Sequence, residues 1–278
     1  MRAQHRYGAQ VTGAGTVLFH AESRCSTGFG PGFNNCPAGE TQIVRSTGES
    51  FSVPGFLLAS PSERFGVFAT FDRRVLWVDW FTGEETRVEL LPFQSIPNVT
   101  PPFSVNRHAI ANNGSFLIAD GTGLRVWSKS GEIVLPTTDL VQRAVISADS
   151  GTVAITTRER DDFQNPNVPT YLYHLASGRK TKFFFFVSLS EDGQTVAHLS
   201  EDVNQLNARA QVMISRSDGT AAARQITSEP AGVRTAILSG DARYLYVVAG
   251  RNAAIAEESR IRRHEITTGA IDDIPAIP

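Results

Sequence analysis

The stretch Leu189-Ser190-Glu191-Asp192-Gly193 decides the fold, because close equivalents of it recur along the chain. Each equivalent has an apolar residue, then a small or polar residue, then a turn. Each also precedes a run of β-forming residues such as Val153-Ala154-Ile155. The equivalent positions are Val11, Ser60, Ala111, Ser147, Ser190 and Ser239. Self-similarity at this spacing, in short β-rich units, predicts a repeat of small antiparallel sheets.

A second turn with glycine recurs once in every unit, after a further strand. Its glycines are Gly48, Gly83, Gly131, Gly178, Gly219 and Gly269. Glycine supplies the positive φ of tight hairpins, so each unit has four strands, A to D, with compact A–B and C–D turns. We therefore predict an all-β fold, a six-bladed β-propeller with four antiparallel strands per blade, which forms a single domain, 1–278. The predicted blades lie at about 4–54, 55–92, 104–136, 142–185, 186–228 and 233–275.

Some of these repeats resemble known propeller families. Ser190-Glu191-Asp192-Gly193, the Asp218-Gly219 turn and Arg224-Gln225-Ile226-Thr227 resemble one repeat of the TolB-like propellers, and Leu124-Arg125-Val126-Trp127-Ser128 resembles the end of a WD-type repeat. The resemblance implies a bacterial, often periplasmic propeller that mediates protein contacts. The strands run in frame from the first unit to the last. The sequence leaves open whether blade packing alone closes the propeller or the chain is a piece of a longer protein.

Composition limits the partners of the protein. The formal net charge is −2, so no overall attraction to nucleic acid is expected. No apolar stretch approaches the ~20 residues of a membrane helix, and the first residues lack the apolar core of a signal peptide. We expect a monomer without membrane insertion. It is either cytosolic or numbered from a mature or trimmed start.

The two cysteines, Cys25 and Cys36, lie in a loop rich in Gly, Asn and Pro. A disulfide between them would order this loop and would place the protein in the periplasm or outside the cell. The alternative is two unpaired thiols in a reducing compartment. No histidine lies at metal-ligand spacing from them, so we expect no metal, and no cofactor motif is present.

Insertions in the units fall in the B–C and D–A connections, which lie on the same face of a propeller, its top. Loops on a rigid scaffold often carry function, so the top face is the expected binding face. Its loops are polar and include Arg158, Asp161, Asp202 and Asn204. The alternative for each of these residues is a simply solvated loop position.

Arginines recur where strand A begins. Arg107 and Arg143 occupy the same repeat position, and Arg6 and Arg234 lie one place earlier in their units. Such guanidinium groups, joined by His108, would form a receptor for carboxylate or phosphate at the channel mouth. The alternative is that each arginine pairs with a carboxylate of a neighbouring blade, such as Asp139 or Glu229.

The function that follows is a non-catalytic, exported scaffold that binds a protein or a polar or anionic ligand, such as a saccharide, on its top face. The alternative is a lyase or hydrolase acting on an anionic saccharide there, with Asp161-Asp162 or Glu257-Glu258 as paired carboxylates. A further alternative places the function elsewhere in a larger protein. The run of phenylalanines 183–186 is expected to pack between blades, with an aromatic patch at the rim as the alternative.

Overall fold

The computed structural model describes residues 5–13, 15–23, 40–54, 56–69, 75–88, 108–120, 123–135, 140–158, 168–200, 209–249 and 260–274. They form six four-stranded antiparallel sheets, each built from four consecutive strands. The predicted six-bladed β-propeller is therefore confirmed. Contacts divide the chain into two compact units, Met1–Thr138 with blades 1 to 3 and Asp139–Pro278 with blades 4 to 6. The predicted single domain stays a prediction.

In the first unit, blade 1 contains β1 (His5–Val11), β2 (Val17–Ser23), β3 (Glu40–Val44) and β4 (Ser50–Pro54). Blade 2 contains β5 (Phe56–Ala59), β6 (Phe65–Ala69), β7 (Val75–Asp79) and β8 (Glu84–Val88). Blade 3 contains β9 (His108–Ile110), β10 (Phe116–Asp120), β11 (Gly123–Ser128) and β12 (Gly131–Leu135).

In the second unit, blade 4 contains β13 (Leu140–Ile146), β14 (Thr152–Arg158), β15 (Pro169–His174) and β16 (Arg179–Phe184). Blade 5 contains β17 (Phe186–Leu189), β18 (Thr195–Leu199), β19 (Val212–Arg216) and β20 (Arg224–Gln225). Blade 6 contains β21 (Val233–Leu238), β22 (Tyr244–Ala249), β23 (Arg260–Glu265) and β24 (Ile271–Ile274). The described residues include no helical segment long and apolar enough to cross a bilayer.

The A–B turns repeat one backbone geometry. In each blade the fourth residue of the turn has a positive φ, and its N–H donates a hydrogen bond to the carbonyl of the first residue of the turn. These fourth residues are Gly15, Glu63, Gly114, Ser150, Gly193 and Ala242. In blade 1 the first residue is Thr12, because the Thr12 N–H donates to the Thr16 carbonyl at 2.9 Å. The expected equivalence of Val11 with Ser60 was therefore wrong by one residue. Blade 1 closes its A–B turn with one residue fewer than blade 2.

All three A–B turns of the second unit have the same side-chain network. In blade 5 the Ser190 hydroxyl donates to Asp192 at 2.6 Å and accepts from the Thr195 N–H at 2.9 Å. Asp192 also accepts from the Gln194 N–H at 3.0 Å. Ser147 with Asp149 and Ser239 with Asp241 repeat these bonds. The serine and aspartate thus satisfy backbone groups that the tight turn leaves unpaired, which explains why this stretch of sequence recurs.

Neighbouring blades within a unit pack through apolar side chains. Blades 5 and 6 share the largest described cluster, with Leu199 and Val212 facing Leu238, Leu245 and Val247. Blades 1 and 2 share a smaller one of Leu18, Ile43, Leu57 and Ala59. Two further clusters join blades 2 and 3, around Trp77, and blades 4 and 5, around Leu172. We refer to these contacts as blade junctions.

Candidate functional site

Arg143 lies near the start of β13, the first strand of blade 4. Its guanidinium stacks on the ring of Phe186, the first residue of blade 5, at 5.2 Å from the ring centroid. The side chain is half-buried, and burial lowers the pKa of its guanidinium. A cation withdrawn from water in this way is costly unless an anion or an aromatic face compensates it.

Within the described part of the chain, Arg143 has no carboxylate partner. Glu229, one of the carboxylates expected to pair with these arginines, instead accepts two bonds from Arg262 at 3.0 and 2.7 Å. The other, Asp139, lies outside the described residues. Among the described residues, Arg143 thus contacts an aromatic face and no carboxylate.

Arg234 takes a different position from Arg143. Strand β13 has a bulge between Val141 and Arg143, and β21 has one between Val233 and Thr235. Arg234 is itself the bulged residue, and its side chain is exposed. In blade 6, Thr235 occupies the position after the bulge that Arg143 occupies in blade 4. Among the described side chains, Arg143 is therefore the half-buried arginine of a channel strand, and it follows the bulge of its strand, whereas Arg234 occupies the bulge.

The run of four phenylalanines connects blade 4 to blade 5 without a loop. Phe183 and Phe186 pack against the junction of these blades, as expected. Phe185 is the whole connection and has a φ of 53°, a conformation that non-glycine residues rarely adopt. Phe184 is 42% exposed. The run therefore combines the two predicted roles: Phe183 and Phe186 pack between the blades, and Phe184 forms aromatic surface.

A cavity of about 630 Å³ opens at this connection, at the end of the blades where the B–C and D–A connections lie. Phe184 and Phe185 line one side, and His198 and Met213 of blade 5 line the other. The Lys182 ammonium, also in the lining, lies 4.8 Å from the ring centroid of Phe184. The cavity thus combines aromatic walls with a cation at its edge, and its size is that of small-ligand sites.

His198 stands in the wall of the cavity as a neutral imidazole. Its Nε2 is 2.9 Å from the Ser215 hydroxyl, and its ring lies 5.7 Å from that of Phe183. Burial lowers the pKa of His198, opposed by a bond to the Leu199 carbonyl. The positive charge of this cavity therefore comes from Lys182. The sequence did not single out Lys182 or His198, because strand alternation alone does not show which residues border a gap between blades.

The remaining predicted site residues are not tested. Arg107, Asp161, Asp202 and Asn204, and with them the Cys25–Cys36 disulfide, lie outside the described residues. Of His108 and Arg158 only the backbone is described: His108 begins β9 and Arg158 ends β14. Their roles stay predictions. In the part of the chain that is described, no three His, Cys, Asp or Glu side chains gather as metal ligands would.

No protein-family model matches the chain, and none of the curated proteins compared with it matches either. Solved structures do match in fold. The chain is similar to the β-propeller domain of the trilobed protease from Pyrococcus furiosus, described as having an open velcro topology: 12% identity, TM-score 0.57, covering 100% of this chain and 85% of that one. Among the described strands of this chain, no sheet combines strands from both chain ends.

Two further matches agree with this fold. Hydrazine synthase from Kuenenia stuttgartiensis matches with 13% identity and a TM-score of 0.55, over 93% of this chain and 76% of that one. Acylaminoacyl peptidase from Pyrococcus horikoshii matches with 12% identity and a TM-score of 0.55, over 98% of this chain and 46% of that one. This chain thus spans less than half of that peptidase. At such low identity these matches show the propeller fold, which is consistent with the resemblance to TolB-like propellers.

Proposed function

We propose that this protein is a non-catalytic binding propeller that recognises an anionic ligand, or an anionic group of a protein, at the end of the blades that bears the D–A connections. The observation that carries the proposal is Arg143: a half-buried guanidinium, stacked on Phe186, without a carboxylate among the described residues. An arginine held in this way is preorganised for a carboxylate or phosphate, because its aliphatic stem and its plane are already fixed by packing.

The neighbouring cavity supports the same ligand chemistry. Phe184 and Phe185 offer apolar and aromatic surface, and Lys182 adds a second positive charge. A ligand with a ring or an apolar chain attached to its anionic group matches this combination of walls and charge. Location in the periplasm or outside the cell belongs to the proposal and depends on the predicted Cys25–Cys36 disulfide.

The catalytic alternative, cleavage of an anionic saccharide, depends on Asp161-Asp162 or Glu257-Glu258. Both pairs lie outside the described residues, so this alternative stays a prediction from the sequence. Peptidases occur among the structures of similar fold, but at 12% identity their activity gives no support for one here.

The proposal is tested by titrating the full chain with phenylacetate and phenylphosphate by isothermal titration calorimetry. We expect the Arg143→Glu variant to lose at least about tenfold in affinity for both anions, because it replaces the receptor charge by a repelling one. Arg143→Met, which keeps a long side chain against Phe186, should lose less.

Arg234→Glu is the matched control. It makes the same change of charge on strand A of blade 6, at an exposed residue in the bulge. It should leave the affinity unchanged. Equal losses in the Arg143 and Arg234 variants would indicate a general electrostatic effect and would overturn the proposal. The absence of binding by the wild-type chain would do so too.

A further inference from the structure

A second cavity, of about 370 Å³, lies between blades 1 and 2 in the first unit. Its inner walls are apolar, with Leu18 and Ile43 from blade 1 and Leu57 and Phe68 from blade 2. Leu18 and Leu57 are only 1% and 2% exposed, so the gap penetrates to the core of the junction. A cavity of this size and lining suits one small ligand with an apolar body. We call it the slot.

The mouth of the slot is aromatic. Trp80 and Phe51 both line it, and they keep 41% and 39% of their surface exposed. Gly66 allows the indole to lie close against β6, because a Cβ at Gly66 would come within 2.3 Å of a ring carbon of Trp80. The Arg45 guanidinium lies 5.3 Å from the Phe51 ring centroid, so Trp80 is the aromatic face of the mouth with no cation over it among the described residues.

Glu63 places a carboxylate at the same mouth. It occupies the position of the A–B turn where φ is positive, with a φ of 59°, whereas blades 1, 3 and 5 have glycine there. Its carboxylate accepts a hydrogen bond from the Thr12 hydroxyl of blade 1, which holds it across the junction. Ser150 and Ala242 also take this strained conformation, but Glu63 alone among the six residues carries a charge. Strain retained for a charged group at a cavity suggests a ligand for that charge.

The cations near the slot are already paired. Arg45, which also lines it, is bonded to Glu49 at 2.9 Å, and Arg64 is bonded to Asp79 at 2.9 Å. In the described part of the chain, Glu63 has the Thr12 hydroxyl as its partner and no cation. Among the described residues, the mouth of the slot therefore offers the negative charge of Glu63, unpaired with a cation, beside the exposed Trp80 ring.

We propose that the slot binds a small organic ammonium ion: its apolar body enters between Leu18 and Leu57, and its charge is held by Glu63 and the Trp80 ring. The inference is independent of the proposed anion site, because it concerns other blades and the opposite ligand charge.

The test compares hexylammonium, hexanoate and hexanol on the full wild-type chain, followed by tryptophan fluorescence. The chain has three tryptophans. Trp77 is 1% exposed and Trp127 is half-buried, so Trp80 is the residue that reports on the slot. We expect saturable binding of hexylammonium, at least about tenfold weaker binding of hexanol, and none of hexanoate. Equal binding of hexylammonium and hexanol, or saturation by hexanoate, would overturn the inference.

Variants localise the charge. Glu63→Gln keeps the turn and the bond to Thr12 but removes the charge, so it should weaken hexylammonium at least about tenfold and leave hexanol unchanged. Asp272→Asn removes an equal charge on blade 6 and should leave both affinities unchanged. If Glu63→Gln and Asp272→Asn have the same effect, the inference is wrong. Trp80→Phe should abolish the fluorescence signal, while calorimetry still detects the ligand. Because the ligand series uses wild-type protein, it decides the question even if a variant fails to fold.

Discussion

The junction of blades 5 and 6 and the junction of blades 1 and 2 are built from the same repeat and filled in different ways. Among the described side chains, blades 5 and 6 share a cluster of ten buried apolar residues, including Leu245 and Val247. The described side chains of blades 1 and 2 share a cluster of four, beside the slot. One repeat thus forms a packed junction, which contributes to stability, and an open junction, which has room for the ligand proposed above.

Polar groups sharpen this contrast. In the junction of blades 5 and 6, Glu229 is 6% exposed and is held by two bonds from Arg262, with His264 3.6 Å away. The backbone N–H and carbonyl of Glu229 are bonded to the Gln211 side chain as well. In the junction of blades 1 and 2 a carboxylate of the A–B turn, Glu63, is half-buried and accepts a bond from the Thr12 hydroxyl. The buried Glu229 carboxylate is held by Arg262, whereas Glu63 has no cation among the described residues.

The largest expected effect is the loss of a leucine from the packed junction. Leu245→Ala, in strand B of blade 6, should lower the free energy of unfolding by about 4–5 kcal/mol, because it opens a cavity in a filled cluster. Leu18→Ala, in strand B of blade 1, should cost about 2–3 kcal/mol, because part of that side chain already faces the slot. Urea denaturation of both variants measures the difference. Equal losses would show that the slot is closed in solution.

The second-largest expected effect concerns the ion pair between Arg262 and Glu229 in the packed junction. Arg262→Leu should destabilise the protein by about 3 kcal/mol, because it leaves the buried Glu229 carboxylate without its partner. Adding Glu229→Gln to that variant should restore much of the loss, since the buried charge is then gone. A double variant no more stable than Arg262→Leu alone would contradict this account. The described residues at the mouth of the slot include no buried ion pair, and Glu63→Gln should change the free energy of unfolding by less than about 1 kcal/mol.

The smallest effect is that of pH on the same junction. Burial lowers the pKa of His264, despite the nearby Glu229 carboxylate, which raises it, and the Arg262 guanidinium lowers it further. The folded protein therefore favours neutral His264. The unfolded chain takes up the proton more readily, so stability is full above the ordinary pKa of about 6.5 and is lost as pH falls through it to the lowered folded value.

Thermal unfolding between pH 7.5 and 5 tests this sign. His264→Leu should lessen the loss of stability on acidification. His198, whose pKa burial also lowers, should account for part of the loss that remains. If acidification destabilises the His264→Leu variant as much as the wild type, His264 is not the titrating group.

The sequence predicted what each repeat specifies locally. The Ser190-x-Asp192 turns, the C–D glycines and the β-rich runs between them are satisfied within single blades, so their pattern is visible without the structure. Bulges are not visible in this way. Strands β13 and β21 have equivalent bulges, occupied in β21 by Arg234 and followed in β13 by Arg143, and nothing in the apolar alternation of 233–238 signals the extra residue.

Cavities between blades were equally beyond prediction. The slot depends on how two sheets pack, and Leu18 and Leu57 read as ordinary core residues in the sequence. Glu63 does have a local signal in the sequence: it stands where the corresponding turns of blades 1, 3 and 5 have glycine. A charged residue at a position that favours glycine is the kind of departure that marks a functional site.

The strand order of the sheets has a consequence for how the protein is made. Each described sheet consists of four strands that follow one another in the chain, so no blade waits for a segment synthesised much later. During translation, a blade has all of its strands once its fourth has left the ribosome, and blade 1 is complete while most of the chain is still to be synthesised. The strands of one blade can therefore pair with one another before those of the next emerge, which limits mispairing between repeats of similar sequence.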